Sequence, residues 1–401
     1  MILKNIKGIR AQFPILERVT PTGKPLIYLD SAATALKPQC VIDAVTDVLT
    51  NRTANIHRSV HFLGDEATEL YESTRDIVAA FIGSEANEIV FLRNTTEGLN
   101  LVAKAFSGKG RIISSVGEHH SNYLPWQEHD VHRLSLDDNG DINWFELEQE
   151  LLKGDVALVS LTHASNVTGY MLDLEKLVNM CHSSGAKVMI DGAQSIPHTQ
   201  IDVAKIQCDF LVFSGHKLGA PSGVGVLFGK AELLEEMDYW LHGGSTVESV
   251  TQHSIEAKNS PWKFEAGTPA IESVVGLQAA VLFLLDLGMD NVESHFKSLS
   301  EFTSICLREN LPLVNVIGGK DKLQGPFSLT SPGISPHIVA RGLSDRYGIC
   351  LRSGFHCAQP LHDFYNVGAS IRLSFWLYNT KDEIEQAIKG IANFINLVKS
   401  N

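Results

Sequence analysis

Two strings in the middle of the chain each close a run of β-branched residues with groups that can do chemistry. KVMI runs into Asp191-Gly192-Ala193-Gln194, and FLVF runs into Ser214-Gly215-His216-Lys217. In an open α/β sheet, ligands gather outside the carboxyl ends of the strands, so an acid and a primary amine are expected at one rim. The amine can condense with a carbonyl, and the carboxylate can keep a heteroaromatic nitrogen protonated so that the ring accepts electrons. That pair of duties is what pyridoxal phosphate (PLP) asks of a protein. Taken singly, a strand-end Asp is more often a turn former or cap, and a lone Lys is usually a solvated charge. Their joint occurrence favours the chemical reading.

Between the strand-like EIVFL and the helical LNLVAKAF stands Asn94-Thr95-Thr96-Glu97-Gly98. Hydroxyls and free N–H groups at a helix start suit a phosphate, helped by the helix dipole, although the same string also reads as an ordinary capping box. Neither a GxGxxG fingerprint nor a Walker A loop is present, so this phosphate is not evidently a nucleotide's. After RIISSV come Glu118-His119-His120. A histidine there can stack on a flat ring, shuttle a proton or simply sit buried and hydrogen-bonded; with no third ligand at zinc-like spacing, no metal is expected. Further on, Arg352-Ser353-Gly354-Phe355-His356-Cys357 follows GICL. A thiol flanked by Arg and His has the surroundings of a nucleophile, while a buried inert Cys is the commoner fate of the residue. Arg372, among apolar neighbours in SIRLSFWLYNT, needs an anionic partner, either a ligand carboxylate that fits its planar fork or an internal ion pair.

These residues need a large framework, and the chain can provide one. Its 401 residues are 44% hydrophobic, enough for a substantial core and two or three domains. With 46 Asp+Glu against 33 Lys+Arg the formal charge is -13, and without a long basic run nucleic acid is a poor partner. The apolar stretch from Ala279 to Leu285 is too short to span a bilayer, and MILKNIKGIRAQFPIL lacks a signal-peptide core and reads as a surface helix. A soluble cytoplasmic protein without membrane contact is expected. Six cysteines (Cys40, Cys181, Cys208, Cys306, Cys350, Cys357) without a CxxC pair argue against a structural zinc or a disulfide framework.

Between about residues 85 and 230, EIVFL, RIISSV, VALVSLT, KVMI, FLVFS and VGVLFG alternate with segments of crossover length, which predicts an α/β fold around a mostly parallel sheet. GHKLGAPSG, between the last two runs, is too short for a crossover helix, so those strands should be antiparallel and the sheet mixed. The expected division is a helical segment of residues 1–20 packing on the smaller domain, a large domain of residues 21–275, and a smaller α+β domain of residues 276–401 that carries Cys357, with a cleft between.

Taken in order, the strings YLDSAATALKP, NIHRSVH, RNTTEGLN, GEHHSNYLPW, SNVTG, DGAQ, SGHK, FEAGTP, RSGFHCAQP and RLSFWLYNT resemble one family nearly end to end: the group II cysteine desulfurases (SufS and CsdA type), among the class V aminotransferase-like enzymes of PLP fold type I. The resemblance implies that Lys217 is the Schiff-base lysine, Asp191 the partner of the pyridine nitrogen, Gln194 the donor to the ring hydroxyl and His119 the residue stacked on the ring. It assigns Thr95, Thr96, Ser214 and His216 to the phosphate, and Thr268 to a phosphate contact that crosses from the neighbouring subunit of a homodimer. Asn166, Arg372 and Arg352 would hold the substrate carboxylate. Cys357 would take sulfur from L-cysteine as a persulfide, leaving L-alanine, and pass it to a SufE- or CsdE-like acceptor for iron-sulfur cluster assembly. Phe355 stands where SufS-type chains usually carry His, the following AQPL is nearer the CsdA type, and Ala220 stands where Gly is usual. The rival readings are selenocysteine or cysteine sulfinate as substrate, another class V PLP reaction such as transamination or sulfide release, and a sulfur-carrier scaffold without turnover.

Overall fold

The computed structural model describes residues 5–319, 324–330 and 333–399. A short first strand, β1 (Ile27–Tyr28), precedes the main sheet, which is built from β2 (Ile89–Leu92), β3 (Arg111–Ser115), β4 (Val131–Leu134), β5 (Val156–Thr162), β6 (Lys187–Asp191), β7 (Phe210–Ser214) and β8 (Gly225–Gly229). These seven strands lie in the order β2-β8-β7-β6-β5-β3-β4. Most of them are apolar on both faces, so the sheet must be covered on both sides, and helices do this. Pairing is parallel from β4 across to β7, while β8 runs antiparallel to β7 and to β2, as the short β7–β8 connection requires.

The register brings several strand ends to one rim. Thr162 at the end of β5 pairs with Asp191 at the end of β6, and Asp191 in turn pairs with Val212 on β7. Gly225, opposite Ser214, allows the β2 turn to close in, since a Cβ there would lie 2.6 Å from Asn94 Cα.

β9 (Val247–Val250) and β10 (Ile255–Ala257) form a separate antiparallel pair, and a second core is built on β11 (Asn315–Val316), β12 (Phe327–Thr330), β14 (Arg352–Gly354) and β15 (Ser370–Leu373), an antiparallel sheet in the order β11-β12-β15-β14. β13 (Ile349–Cys350) pairs instead with β1, in parallel, so the segment before Asp30 is woven into this smaller body. Ile27 and Leu29 accordingly belong to its core.

Two expectations meet a different packing. The helix Ile271–Leu287, which a boundary at residue 275 would divide, packs on the helices Gln39–Asn51 and Phe62–Ile82 and shares the core of the main sheet. It is apolar almost all round, so its sequence carries no facing information. The N-terminal segment forms a short helix, Ile6–Arg10, and a 3-10 turn, Pro14–Glu17; its anchor, Phe13, lies against Phe283 of the long helix, Trp376 and Tyr378 in the core of the main sheet, while Arg10 pairs with Glu383 on the last helix of the smaller body, so the segment bridges both. No single helix among the described residues is long and apolar enough to cross a membrane.

One buried ion pair fastens the FEAGT loop to this framework. Arg75 donates to Glu265 (2.7 and 3.0 Å), to Glu72 (2.8 Å) and to Ile89 O (2.7 Å), and Glu265 also accepts from Phe91 N–H (2.7 Å) and the Tyr71 hydroxyl (3.0 Å). Removing one partner of such a pair strands the other charge away from water. Arg75→Met should therefore cost about 3–5 kcal/mol, read from urea unfolding at one fixed protein concentration; a loss below about 1 kcal/mol would show that the pair is screened.

Candidate active site

Where the rim of the main sheet meets the smaller body there is a cavity of about 240 Å³. Its lining brings together Thr95, Thr96, His119, Asn166, Asp191, Gln194, Ser214, His216, Lys217, Arg352, Cys357 and Arg372, with Asn94, Ser121, Thr162 and His356 among the remainder. Thr268 is not part of it; in its own chain it is exposed, in a turn after Glu265.

One end of the cavity is a cradle of hydroxyls at a helix start. The helix Thr95–Ala105 is capped by Asn94, whose side chain accepts from Glu97 N–H at 3.0 Å, so the capping reading of this string is realised. It is compatible with anion binding: Thr95 N–H donates to Ser214 Oγ at 2.8 Å, the Thr95 and Ser214 hydroxyls lie 2.7 Å apart, and those of Thr96 and Ser121 also 2.7 Å apart. Exchangeable hydroxyls on the positive end of a helix dipole suit a phosphate.

The middle holds the acid and the amine. Asp191 is buried and accepts from Ala193 N–H at 2.9 Å; burial pushes its pKa up, and the Lys217 ammonium opposes that. Lys217 ends the 3-10 turn Gly215–Lys217, and burial pushes it down to about 8 despite the pull of Asp191, with Arg372 and Arg352 lowering it further. The turn itself is pinned through His216 O, which accepts from Ala35 N–H (3.0 Å), Thr34 Oγ1 (3.2 Å) and Lys37 Nζ (3.1 Å). Gln194 donates one amide N–H to Ala32 O at 2.8 Å, which leaves its second N–H to spare.

His119 caps a short helix, its Nδ1 accepting from Ser121 N–H at 3.1 Å. That places its proton on Nε2, and burial, with Lys217 nearby, lowers its pKa to about 3, so the ring is neutral. Behind it Glu118, fully buried, accepts from Ser115 Oγ (2.6 Å), Asn122 Nδ2 (2.6 Å) and Thr162 N–H (2.9 Å). Burial, and then Asp191, raise Glu118 to about 8.

The far end carries the thiol and two guanidinium groups. After β14 the backbone turns through Gly354 (φ 128°), His356 (φ 52°) and Cys357 (φ 56°), and Cys357 is exposed at the cavity mouth. Left-handed backbone costs a non-glycine residue on the order of 1–3 kcal/mol and persists only where its surroundings enforce it. Two ties from the main sheet help: His120 N–H donates to Cys357 O (2.6 Å) and Asn166 Nδ2 to His356 O (2.7 Å). The Asn166 amide is thus engaged with the cysteine-bearing turn. Arg372, on β15, donates to Asn166 O (3.2 Å) and to Asp30 Oδ1 (3.3 Å), while Arg352 reaches Asp30 Oδ2 (3.3 Å). Burial lowers Arg372 to about 10 with Asp30 opposing, and its Nε has no partner among the described residues. One carboxylate thus orients two cations, and the internal ion pair coexists with a buried Nε donor that it does not use.

Asp30, Thr34, Lys37 and Glu118 were not singled out as functional from sequence. Their signal was present only as membership of the strings YLDSAATALKP and GEHHSNYLPW.

Residues 27–387 match the aminotransferase class-V family. A probable cysteine desulfurase of Halalkalibacterium halodurans is 40% identical over 96% of this chain and 97% of its own length. A cysteine desulfurase of Escherichia coli is 37% identical over 98% and 99%. Among solved structures, the apo cysteine desulfurase from Thermococcus onnurineus NA1 aligns with a TM-score of 0.90 at 34% identity over 98% of both chains. The cysteine desulfurase CsdA from Escherichia coli aligns with 0.88 at 36% identity, covering 98% of this chain and 99% of that one. The chain belongs to the class-V aminotransferase family, with the type I fold of PLP-dependent enzymes. Within that family it is a group II cysteine desulfurase.

The lowered Lys217 pKa has a direct readout. Its ammonium gives way to the free amine as pH rises through about 8, whereas exposed lysines do so near 10.4. In protein freed of small molecules, competitive labelling with acetic anhydride, read peptide by peptide, should show Lys217 reacting with a midpoint near pH 8; a midpoint at about 10 or above would contradict the burial described.

Proposed function

We propose that this protein uses PLP to take the sulfur of L-cysteine onto Cys357 as a persulfide, leaving L-alanine, and delivers that sulfur to an acceptor protein. The observation that carries the proposal is the convergence of Lys217, Asp191 and Cys357 on one cavity whose other end is a phosphate-suited cradle. The residues fit the cofactor: a buried carboxylate beside a lysine amine calls for a cationic ring, and the hydroxyl cluster for a dianion. Thr95, Thr96, Ser214 and His216 would hold its phosphate, Asp191 its ring nitrogen, Gln194 its ring hydroxyl, His119 its face and Lys217 its carbonyl carbon. When bound, PLP supplies an electron sink for the substrate's α-carbon.

The chain's own residues perform the rest. Arg372 and Arg352, oriented by Asp30, bind the substrate carboxylate and fix which bonds face Lys217 and Cys357. Asn166 carries part of that orientation by tying the thiol turn to the same place. Lys217 Nζ, with its lowered pKa, takes the α-proton and can return it. Cys357 Sγ loses its proton and attacks the substrate sulfur; the S–S bond forms as the Cβ–S bond breaks, and the electron pair left on the three-carbon fragment is protonated to give alanine. His119, neutral and carrying its proton on Nε2, is suited to donate a hydrogen bond inside the cavity.

Exposure of Thr268 on a loop fastened by Glu265 supports a homodimer in which each Thr268 completes the partner's phosphate cradle. Exposure of Cys357 supports onward transfer to a SufE- or CsdE-like thiol acceptor, for iron-sulfur cluster assembly, and six free cysteines support a reducing, cytoplasmic setting.

The test is cysteine-dependent formation of alanine and protein persulfide, with and without an acceptor. Cys357→Ala should lower both by about 100-fold or more while cofactor absorbance is kept. Sulfide with pyruvate and ammonia in place of alanine would mark a sulfide-releasing lyase, alanine formation surviving that change would remove Cys357 as the sulfur acceptor, and absence of alanine from the unaltered protein with every acceptor would overturn the assignment.

A further inference from the structure

Cys357 is straddled by a ring of hydrogen bonds that the reaction described above does not use. His362, fully buried on the helix Gln359–Phe364, has Nδ1 2.9 Å from Ala358 O and Nε2 3.0 Å from Ser370 Oγ, and Ser370 Oγ lies 2.9 Å from His356 Nε2. The direction of every bond can be worked out. A carbonyl only accepts, so His362 Nδ1 bears hydrogen. Burial holds both imidazoles in the neutral form, His356 down to about 2 with Arg372 contributing. His362 Nε2 is therefore bare and accepts the Ser370 hydroxyl proton, and Ser370 Oγ, its one hydrogen used, accepts from His356 Nε2–H. Donation runs from His356 to Ser370 to His362 and ends on the Ala358 carbonyl. Its two ends are the residues on either side of Cys357.

The ring also sets a position. Ser370 lies opposite Gly354 in the β14–β15 pairing and two residues from Arg372 on the same face of β15. The cysteine turn and the guanidinium are thus referenced to one rigid strand. The two main-chain ties, from Asn166 and His120, come from the main sheet, whereas the ring lies wholly within the smaller body.

We infer that Ser370, His362 and His356 are positioning residues for the sulfur acceptor: the ring they close holds the left-handed His356–Cys357 turn in the conformation that presents Sγ to the cavity. The inference rests on the proposed sulfur transfer for its consequence in turnover, but not for its effect on the turn.

The test compares Ser370→Ala, His356→Leu and His356→Gln in the holoenzyme. A Gln amide N–H reaches the place of His Nε2–H, so His356→Gln keeps the bond to Ser370, while the other two variants break it. Two assays are run, turnover of cysteine to alanine, which gives kcat and KM, and the rate of Cys357 alkylation by iodoacetamide. Breaking the ring should lower kcat about tenfold or more, as a displaced reacting atom does, with KM within about threefold. It should raise alkylation about threefold or more as the turn is released; His356→Gln should leave both near the unaltered protein's values. The inference is overturned if Ser370→Ala leaves alkylation unchanged, whether or not kcat falls, or if His356→Gln is as impaired as His356→Leu, which would assign the role to Nδ1. Ser370→Ala deletes one oxygen atom and serves where His356→Leu does not fold. If the unaltered protein yields no alanine, the functional proposal fails, and alkylation alone still decides the inference.

Discussion

A carboxylate and an ammonium buried at one rim are each costly alone, and the site is organised around that cost. Desolvation raises Asp191 and lowers Lys217, and each counters the other's shift. Neither has a direct ion-pair partner at contact distance among the described residues, so their fields are left to act on whatever lies between them. The sheet makes this possible because β6 and β7 are adjacent and parallel, so Asp191 at the end of β6 pairs with Val212, two residues before β7 ends and the turn to Lys217 begins. The antiparallel β8 contributes by returning the chain at once, which keeps the Lys217 turn short and lets Thr34, Ala35 and Lys37 pin it through a single carbonyl.

The second constraint is that the site is shared between two bodies. Asp30 arrives on a segment whose preceding strand is paired with β13, and it orients Arg352 and Arg372 of the smaller sheet. From the other side, Asn166 and His120 of the main sheet hold the backbone of the cysteine turn. Thr34, Ala35 and Lys37, just beyond Asp30, in turn pin the main sheet's Lys217 turn, so hydrogen bonds tie the thiol and the amine to one framework. The N-terminal segment, with Phe13 set between Phe283 and Tyr378 and Arg10 paired with Glu383, reinforces the same junction.

What the sequence made legible is what local chemistry records. Strand ends at Asp191 and Ser214, the helix start at Thr95 and the antiparallel return after Lys217 follow from periodicity and connection length. What it concealed acts at long range. Asp30, Lys37 and Glu118 stand inside motif strings, and Ser370 and His362 beside them, without a chemical cue of their own, and their roles exist only once distant segments are brought together. The helix Ile271–Leu287 was legible as a helix but not in its placement, since apolar residues almost all round, with Leu282 and Leu285 left exposed, give no stripe that would point it. Asn166 shows the reverse: its place at the cavity follows the family likeness, yet one of its amide N–H groups is given to the His356 carbonyl, a partner no motif names.

The left-handed turn at His356 and Cys357 reconciles two demands that conflict. A nucleophile that meets substrate beside Lys217 and Arg372 must stand over a water-poor cavity, while a sulfur that leaves on another protein must be reachable from solvent. A longer loop would satisfy both by moving, at the expense of aim. A two-residue excursion into strained backbone instead lifts one side chain to the boundary while both flanking residues remain tied down, His356 at 6% exposure and Ala358 at 0%. The strain is tolerable because it is confined, and it is confined because the carbonyls of His356, Cys357 and Ala358 and the Nε2 of His356 each have a partner.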